Sequence, residues 1–105
     1  MIQIAPSLLS VDLMRLDEQI GAMEAAPADL LHLDVMDGHF VPNLTYGAGF
    51  VKALRKRTDL KLDCHLMVSR PEDHVDAFLQ AGADIISVHL EATHHPDRLL
   101  QRIQE

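Results

Sequence analysis

Residues 30–36 read Leu-Leu-His-Leu-Asp-Val-Met, a short apolar run that polar side chains interrupt at alternate positions. A strand of a parallel sheet is covered on both faces and normally consists of consecutive Val, Ile and Leu residues. Because side chains alternate between the two faces of a strand, His32, Asp34 and Met36 share one face. We therefore predict a buried strand over residues 30–36 with polar chemistry on one of its faces.

Outward from this strand, short apolar runs alternate with stretches of helical periodicity. Three further strands are predicted, over residues 2–9, 61–68 and 85–90, each followed by a helical stretch. We expect Ser10 to cap the first helix, Pro71 and Pro96 to open later helices, and Gly82 to end the third helix in a left-handed conformation. This alternation is typical of βα units and a parallel sheet. The prediction is an α/β fold of four consecutive βα units.

Four βα units fit an open doubly wound sheet, or half of an eight-unit (β/α)8 TIM barrel of about 250 residues. Periodicity alone does not separate the two architectures, but the position of the polar residues does. The predicted strands, and the position after the last one, carry further polar residues and a second methionine on the same faces: Ser7, Asp63, His65, Met67, His89 and Glu91. They lie toward the C-terminal ends of the strands, which form the catalytic rim of such a barrel. We therefore expect residues 1–105 to form one domain, a half-barrel.

Two histidines and a carboxylate on neighbouring predicted strands call for a common explanation. Burial of a charge costs on the order of several kcal/mol unless the charge is paired or bound to a metal. Neighbouring strands lie about 4.8 Å apart, so His32 and Asp34 on one strand and His65 on the next could reach one ion. Imidazole and carboxylate ligands suit one divalent metal ion, Zn, Fe, Mn or Co. The alternative is that the histidines are hydrogen-bonded core residues and Asp34 is an isolated acid at the rim.

The composition excludes several classes of partner and compartment. The formal net charge of −7, from acidic residues spread along the chain, argues against binding to nucleic acid or to an anionic membrane. Cys64 is the single cysteine, so no intrachain disulfide is possible and a reducing, cytoplasmic setting is expected. The first residues lack the features of a signal peptide, and no apolar run reaches the ~20 residues of a membrane helix.

Four ordered motifs resemble the ribulose-phosphate 3-epimerase family. They are Ile-Ala-Pro-Ser-Leu-Leu-Ser at 4–10, Leu-Asp-Val-Met-Asp-Gly-His-Phe-Val-Pro-Asn at 33–43, Asp-Cys-His-Leu-Met-Val at 63–68 and Ser-Val-His-Leu-Glu-Ala at 87–92. The resemblance implies an isomerase of the pentose phosphate pathway on a ribulose-phosphate-binding barrel. It would interconvert D-ribulose 5-phosphate and D-xylulose 5-phosphate by removing a proton at C3 and passing through an enediolate.

The resemblance also implies a role for each residue that matches these motifs. His32, Asp34 and His65 would bind the metal ion, and Asp34 would also be the base on one face of the sugar. Ser7 and His65 would contact the substrate, and Met36 and Met67 would form an apolar shield over it. His89 and Glu91 are either supports for the site or polar groups of the rim, and the motifs do not decide between these roles.

The length bears on all of these expectations. By the resemblance, the family's second acid–base aspartate and its phosphate-binding loops belong to later strands, which lie outside these 105 residues. We therefore expect the N-terminal half of an epimerase, with little or no epimerase activity alone and with exposed edges that favour a homo-oligomer.

Two alternatives to this interpretation stay open. One is an inactive or engineered half-barrel fragment that self-associates and binds metal. The other is a phosphate-binding decarboxylase, although such enzymes have Asp-x-Lys-x-x-Asp on the third strand and residues 63–68 contain no lysine.

Overall fold

The computed structural model describes residues 2–104 of the chain. A parallel sheet lies at its centre, with the strand order β1 (Leu30–Met36), β2 (Lys61–Met67) and β3 (Ile85–Val88). The α-helices of this region are α1 (Leu16–Ala25), α2 (Ala48–Arg57), α3 (Val75–Ala81) and α4 (Pro96–Gln104). Short 3-10 helices occupy Leu8–Ser10, Leu13–Arg15, Pro71–Asp73 and Leu90–Ala92. The predicted α/β class is confirmed, with three strands in the sheet rather than four.

The strand predicted over residues 2–9 does not form. The segment runs alongside β1, where the N–H of His32 donates to the carbonyl of Pro6 at 2.9 Å, but its only bridge is between Ser7 and His32. Pro6 has no N–H to donate back to β1, which interrupts the ladder. The chain then turns into the 3-10 helix Leu8–Ser10, whose N-cap is Ser7. The first predicted βα unit is therefore an extended segment followed by a helix.

Other boundaries were predicted with mixed success. The strand over residues 30–36 is confirmed, Pro96 opens α4, and Gly82 ends α3 with a φ of 109°. Ser10 was wrongly predicted as the cap of α1, because it ends a 3-10 helix and a second 3-10 turn, capped by Asp12, comes before α1. The last strand stops at Val88 instead of residue 90, because the chain enters another 3-10 turn there.

The two faces of β1 and β2 differ in burial. One face lies under the helices and is fully or almost fully buried, with the side chains of Leu31, Leu33, Val35, Leu62, Cys64 and Leu66 in the core. The opposite face is half-buried and carries the side chains of His32, Asp34, Met36, Asp63, His65 and Met67. The apolar face thus attaches the helices, and the polar face is left accessible for chemistry. No helix among residues 2–104 is long and apolar enough to cross a membrane.

Arg55, near the end of α2, joins the segments that lead into β2 and β3. Its guanidinium donates to the carbonyl oxygens of Thr58 and Leu60 at 2.8 and 2.7 Å. It also donates to the carbonyl oxygen of Gly82 at 3.3 Å and to Oδ2 of Asp84 at 2.8 Å. The stem of Arg55 passes so close to Gly82 that a Cβ at this glycine would lie 2.6 Å from Cδ of Arg55. These contacts fix the connections below the sheet, at the end remote from the polar residues.

Candidate metal centre

His32, Asp34 and His65 converge at the C-terminal end of the sheet. His32 and Asp34 are two residues apart on β1 and so point to the same side, and His65 is the registered partner of Asp34 on β2. One nitrogen of each histidine and one oxygen of Asp34 all lie within 4.8 Å of one another. The structure therefore brings together the three residues that the sequence analysis singled out as metal ligands.

The geometry of this cluster suits a divalent cation. Oδ1 of Asp34 lies 3.1 Å from Nε2 of His32 and 3.1 Å from Nδ1 of His65. Zinc–nitrogen and zinc–oxygen bonds are about 2.1 Å, which places neighbouring ligand atoms roughly 3 Å apart. Two imidazoles and one carboxylate are a donor set that Zn, Fe, Mn and Co all accept. The residues present therefore fit a divalent metal ion.

Each of the two histidines has a second partner, on the nitrogen that faces away from Asp34. Nδ1 of His32 lies 2.9 Å from Oδ2 of Asp63, and Nε2 of His65 lies 2.7 Å from Nε2 of His89. No role is predicted for Asp63 from the sequence, and the role of His89 is undecided there. Strand register is the signal that finds Asp63, because this residue is the registered partner of His32.

The pKa of His32 reflects a competition between burial and its two carboxylate partners. Partial burial favours the neutral ring and works to lower the pKa. Hydrogen bonds to Asp63 and Asp34, with the charges of both carboxylates, outweigh burial and raise the pKa of His32 above its ordinary value. Both carboxylates therefore favour the protonated form of the His32 ring.

Backbone and hydroxyl contacts fix the position of Asp34. The hydroxyl of Thr45 donates to the carbonyl oxygen of Asp34 at 2.9 Å and accepts the N–H of Met36 at 2.9 Å, which ties the end of β1 to the following loop. The hydroxyl of Ser7 lies 3.4 Å from Oδ2 of Asp34 and accepts the N–H of Leu9 at 3.1 Å. Ser7 thus faces the cluster while it caps the first 3-10 helix.

The remaining predicted residues lie at different distances from the cluster. Met36 and Met67 are registered partners at the C-terminal ends of β1 and β2, both half-buried on the polar face. Glu91 is 71% exposed, and its Oε1 lies 3.5 Å from Nδ1 of His89, too far for a well-formed hydrogen bond. The histidines at positions 39, 74, 94 and 95 are exposed.

Asp37 closes the rim beside the cluster. Its carboxylate accepts the backbone N–H groups of His39, Phe40 and Ser69, each at 2.9 Å, and so joins the loop after β1 to the loop after β2. Hydrogen bonds from these amides, that of Ser69 first, lower the pKa of Asp37 to about 2. The loops that border the cluster are therefore connected by a residue that stays ionised at neutral pH.

The protein is therefore an α/β protein with a candidate divalent-metal centre. Two imidazoles and a carboxylate form this centre at the C-terminal ends of adjacent parallel strands. Residues 3–105 match the ribulose-phosphate 3 epimerase family. The chain belongs to this family. The match favours the epimerase interpretation over the decarboxylase alternative.

Individual relatives agree with this assignment. A ribulose-phosphate 3-epimerase of Bacillus subtilis (strain 168) is 52% identical over 105 residues, which are all of this chain and 48% of the relative. That of Treponema pallidum (strain Nichols) is 54% identical over 101 residues, which are 96% of this chain and 46% of the relative. That of Synechocystis sp. is 53% identical over 106 residues, 99% of this chain and 46% of the relative. The chain spans about half the length of the curated relatives it matches.

Proposed function

We propose that this chain is the N-terminal (βα)4 half of a barrel enzyme that epimerises D-ribulose 5-phosphate to D-xylulose 5-phosphate. In this proposal, the segment before β1 takes the place of the first barrel strand. The observation that carries the proposal is the convergence of His32, Asp34 and His65 within 4.8 Å, in a chain whose family is named for this reaction. The three residues would bind one divalent metal ion.

Inversion at C3 needs a base that removes a proton next to the C2 carbonyl, and a positive charge that stabilises the enediolate. A divalent metal ion held by His32, Asp34 and His65 would supply this charge as a Lewis acid. Asp34 is placed to be the base, because its Oδ1 faces the two imidazoles while its Oδ2 points toward Ser7. One carboxylate oxygen is then left for proton transfer.

Other residues of the polar face would bind and shield the sugar. Ser7 presents its hydroxyl beside Oδ2 of Asp34, where it can hydrogen-bond the substrate, and His65 borders the same space. Met36 and Met67 lie side by side next to the cluster and offer an apolar cover. Such a cover would keep water away from the enediolate and strengthen the electrostatic interactions under it.

Metal binding by the chain tests the first half of this proposal. Titration with Zn²⁺ or Co²⁺ against a chromogenic chelator should show one site. Asp34→Asn and His65→Ala should each weaken binding by at least about tenfold, since each removes a ligand. The matched control is His74→Ala, which removes an exposed histidine of the α3 cap and should bind as the wild type does. Equal loss in the control, or no binding by the wild type, would contradict the metal centre.

A chimeric protein tests the reaction itself. Residues 1–105 are fused to the part of the Bacillus subtilis relative that lies outside the match, and formation of D-xylulose 5-phosphate is followed. Asp34→Asn should lower kcat by about 10²- to 10⁴-fold, the usual contribution of a general base. The exposed acid Asp59 supplies the control Asp59→Asn, which should leave kcat unchanged.

The unfused chain, assayed in parallel, should fall well below the typical 1–10³ s⁻¹. Full activity of the Asp34→Asn chimera would refute the assigned base.

We also propose that the chain forms a homo-oligomer through its exposed apolar surface. The N-terminal region displays several large apolar side chains, with Ile2 89%, Ile4 58% and Met14 92% exposed. Apolar patches of this kind mark association surfaces. Light scattering at micromolar concentration should give a mass above the 11.7 kDa of one chain, and a monomer would contradict the proposal.

A further inference from the structure

The two histidines of the cluster turn opposite ring nitrogens toward Asp34. His32 presents Nε2 and His65 presents Nδ1, each 3.1 Å from Oδ1 of Asp34. A neutral imidazole has one N–H and one lone pair, and only the lone pair can bind a cation. For both rings to serve as ligands through these atoms, they must therefore adopt opposite tautomers.

Asp63 provides the contact that selects the tautomer of His32. An ionised carboxylate only accepts hydrogen bonds, so the 2.9 Å contact with Oδ2 of Asp63 places a proton on Nδ1 of His32 and leaves Nε2 as the nitrogen that would bind a cation between it and Asp34. The second oxygen of Asp63, Oδ1, is buried and has no hydrogen-bond partner in the described part of the chain. Burial of an unpaired carboxylate oxygen is unfavourable, and the hydrogen bond from His32 to Oδ2 offsets part of that cost.

His89 provides the corresponding contact for His65. If Nδ1 of His65 binds the cation, its Nε2 carries the proton and donates it to Nε2 of His89, 2.7 Å away. The centroids of the two rings lie 4.8 Å apart with their planes inclined by 26°, and Phe40 packs on His89 with a centroid distance of 5.1 Å. Packing on His89 thus fixes the acceptor in position, whereas Oε1 of Glu91 faces the other nitrogen, Nδ1 of His89, at 3.5 Å, which is too far for a well-formed hydrogen bond.

We propose that Asp63 and His89 are positioning residues that set opposite tautomers in His32 and His65 and so prepare both rings for one cation. This inference rests on the proposed metal-binding role of the cluster. Hydrogen-bond partners of this kind orient metal-binding histidines in proteins and make them more basic, and their loss lowers metal affinity by about 10- to 100-fold.

The tautomers themselves are the first measurement. Long-range ¹H–¹⁵N spectra of the ¹⁵N-labelled chain, with and without Zn²⁺ and at a pH where histidines are neutral, report which nitrogen of each ring is protonated. We expect the proton of His32 on Nδ1 and that of His65 on Nε2 in the Zn²⁺-bound protein, where the cation takes the place of the protons that would otherwise face Asp34. The exposed His74 and His94, which lie outside the cluster, serve as internal references.

Paired substitutions separate positioning from a merely structural role. Asp63→Leu removes the acceptor and should release the tautomer of His32 and weaken Zn²⁺ binding by about 10- to 100-fold. Asp63→Asn keeps an amide oxygen that accepts the same N–H, and should retain the tautomer and recover most of the affinity. His89→Phe and His89→Gln form the corresponding pair for His65, and the far-UV circular dichroism of all four variants should match the wild type.

The outcomes distinguish this inference from the proposed function. If the wild type binds Zn²⁺ but Asp63→Leu and His89→Phe bind it equally well, or if Nε2 of His32 carries the proton, the inference is overturned and the metal centre stands. If the wild type binds no Zn²⁺, the proposed function fails and this inference, which rests on it, fails with it.

Discussion

Replacing Gly82 with alanine should destabilise the fold through two effects that can be measured separately. The φ of 109° at Gly82 is strained for any residue with a Cβ, which we estimate at about 1–2 kcal/mol. The added Cβ would also lie 2.6 Å from Cδ of Arg55 and force its side chain to move. The bonds of Arg55 to the carbonyl oxygens of Thr58 and Leu60 would then be lost, at about 1 kcal/mol each. The half-exposed ion pair with Asp84 adds little after solvent screening.

A double-mutant cycle isolates the part that acts through Arg55. Gly82→Ala should cost about 3–4 kcal/mol and Arg55→Ala about 2 kcal/mol, the latter from the two carbonyl bonds alone. In the Arg55→Ala background most of the clash is gone, so the added methyl at residue 82 costs only the backbone strain. The double variant should therefore lose about 3–4 kcal/mol, roughly 2 kcal/mol less than the sum of the single losses.

Urea unfolding followed by far-UV circular dichroism gives each free energy of unfolding. The control is Gly49→Ala, because nothing lies within 4 Å of a Cβ at this helical glycine. This change should be neutral or stabilise α2 by up to about 1 kcal/mol. Losses that add to within about 0.5 kcal/mol would show that Gly82 and Arg55 act independently and would refute the coupling.

Three further predictions concern the core, the rim and the metal. Leu33→Ala, at a fully buried position of β1, should lower the free energy of unfolding by about 2–5 kcal/mol in the same urea assay, and a loss below 1 kcal/mol would contradict the packing. The pKa of Asp37 is lowered from 3.8 to about 2, so its contribution is present above pH 4 and is lost as the pH falls toward 2. The stability difference between wild type and Asp37→Ala should shrink over this range, and a constant difference would argue against the amide contacts. Zn²⁺ at 100 times its Kd should stabilise the wild type by about 2.7 kcal/mol in thermal unfolding. Chelation should abolish this effect, and a tenfold weaker site in Asp34→Asn should reduce it to about 1.4 kcal/mol at the same Zn²⁺ concentration.

Much of the sheet and the cluster could be predicted because both follow from the period of two along a strand. The alternation of Leu31, Leu33 and Val35 with His32 and Asp34 specifies one buried face and one polar face, and the structure has both. Parallel strands place their C-terminal ends at one edge of the sheet. The convergence with the next strand therefore followed without knowledge of the exact register.

The features that could not be predicted depend on contacts between residues that are distant in the sequence. The apolar residues before Pro6 resemble a strand. A continuous ladder to β1 would need a backbone N–H at position 6, which proline lacks. The contacts of Asp63 and His89 depend on the register between β1, β2 and β3, which local patterns do not specify. The sequence pattern also does not show whether His89 reaches the cluster, because His89 lies just after the last residue of β3.

β1 and β2 carry their buried aliphatic side chains on one face and their ionisable side chains on the other. The stability of the fold and the properties of the polar face can therefore be changed by substitutions at different positions. A substitution on the face under the helices, such as one at Leu33, changes the free energy of unfolding and leaves the side chains of the polar face unchanged. By the proposed function, a substitution at Asp34 or His65 would alter metal binding without opening a cavity among the aliphatic side chains on the other face. New ligand sets could therefore be engineered onto this surface of the sheet while the opposite layer stays untouched.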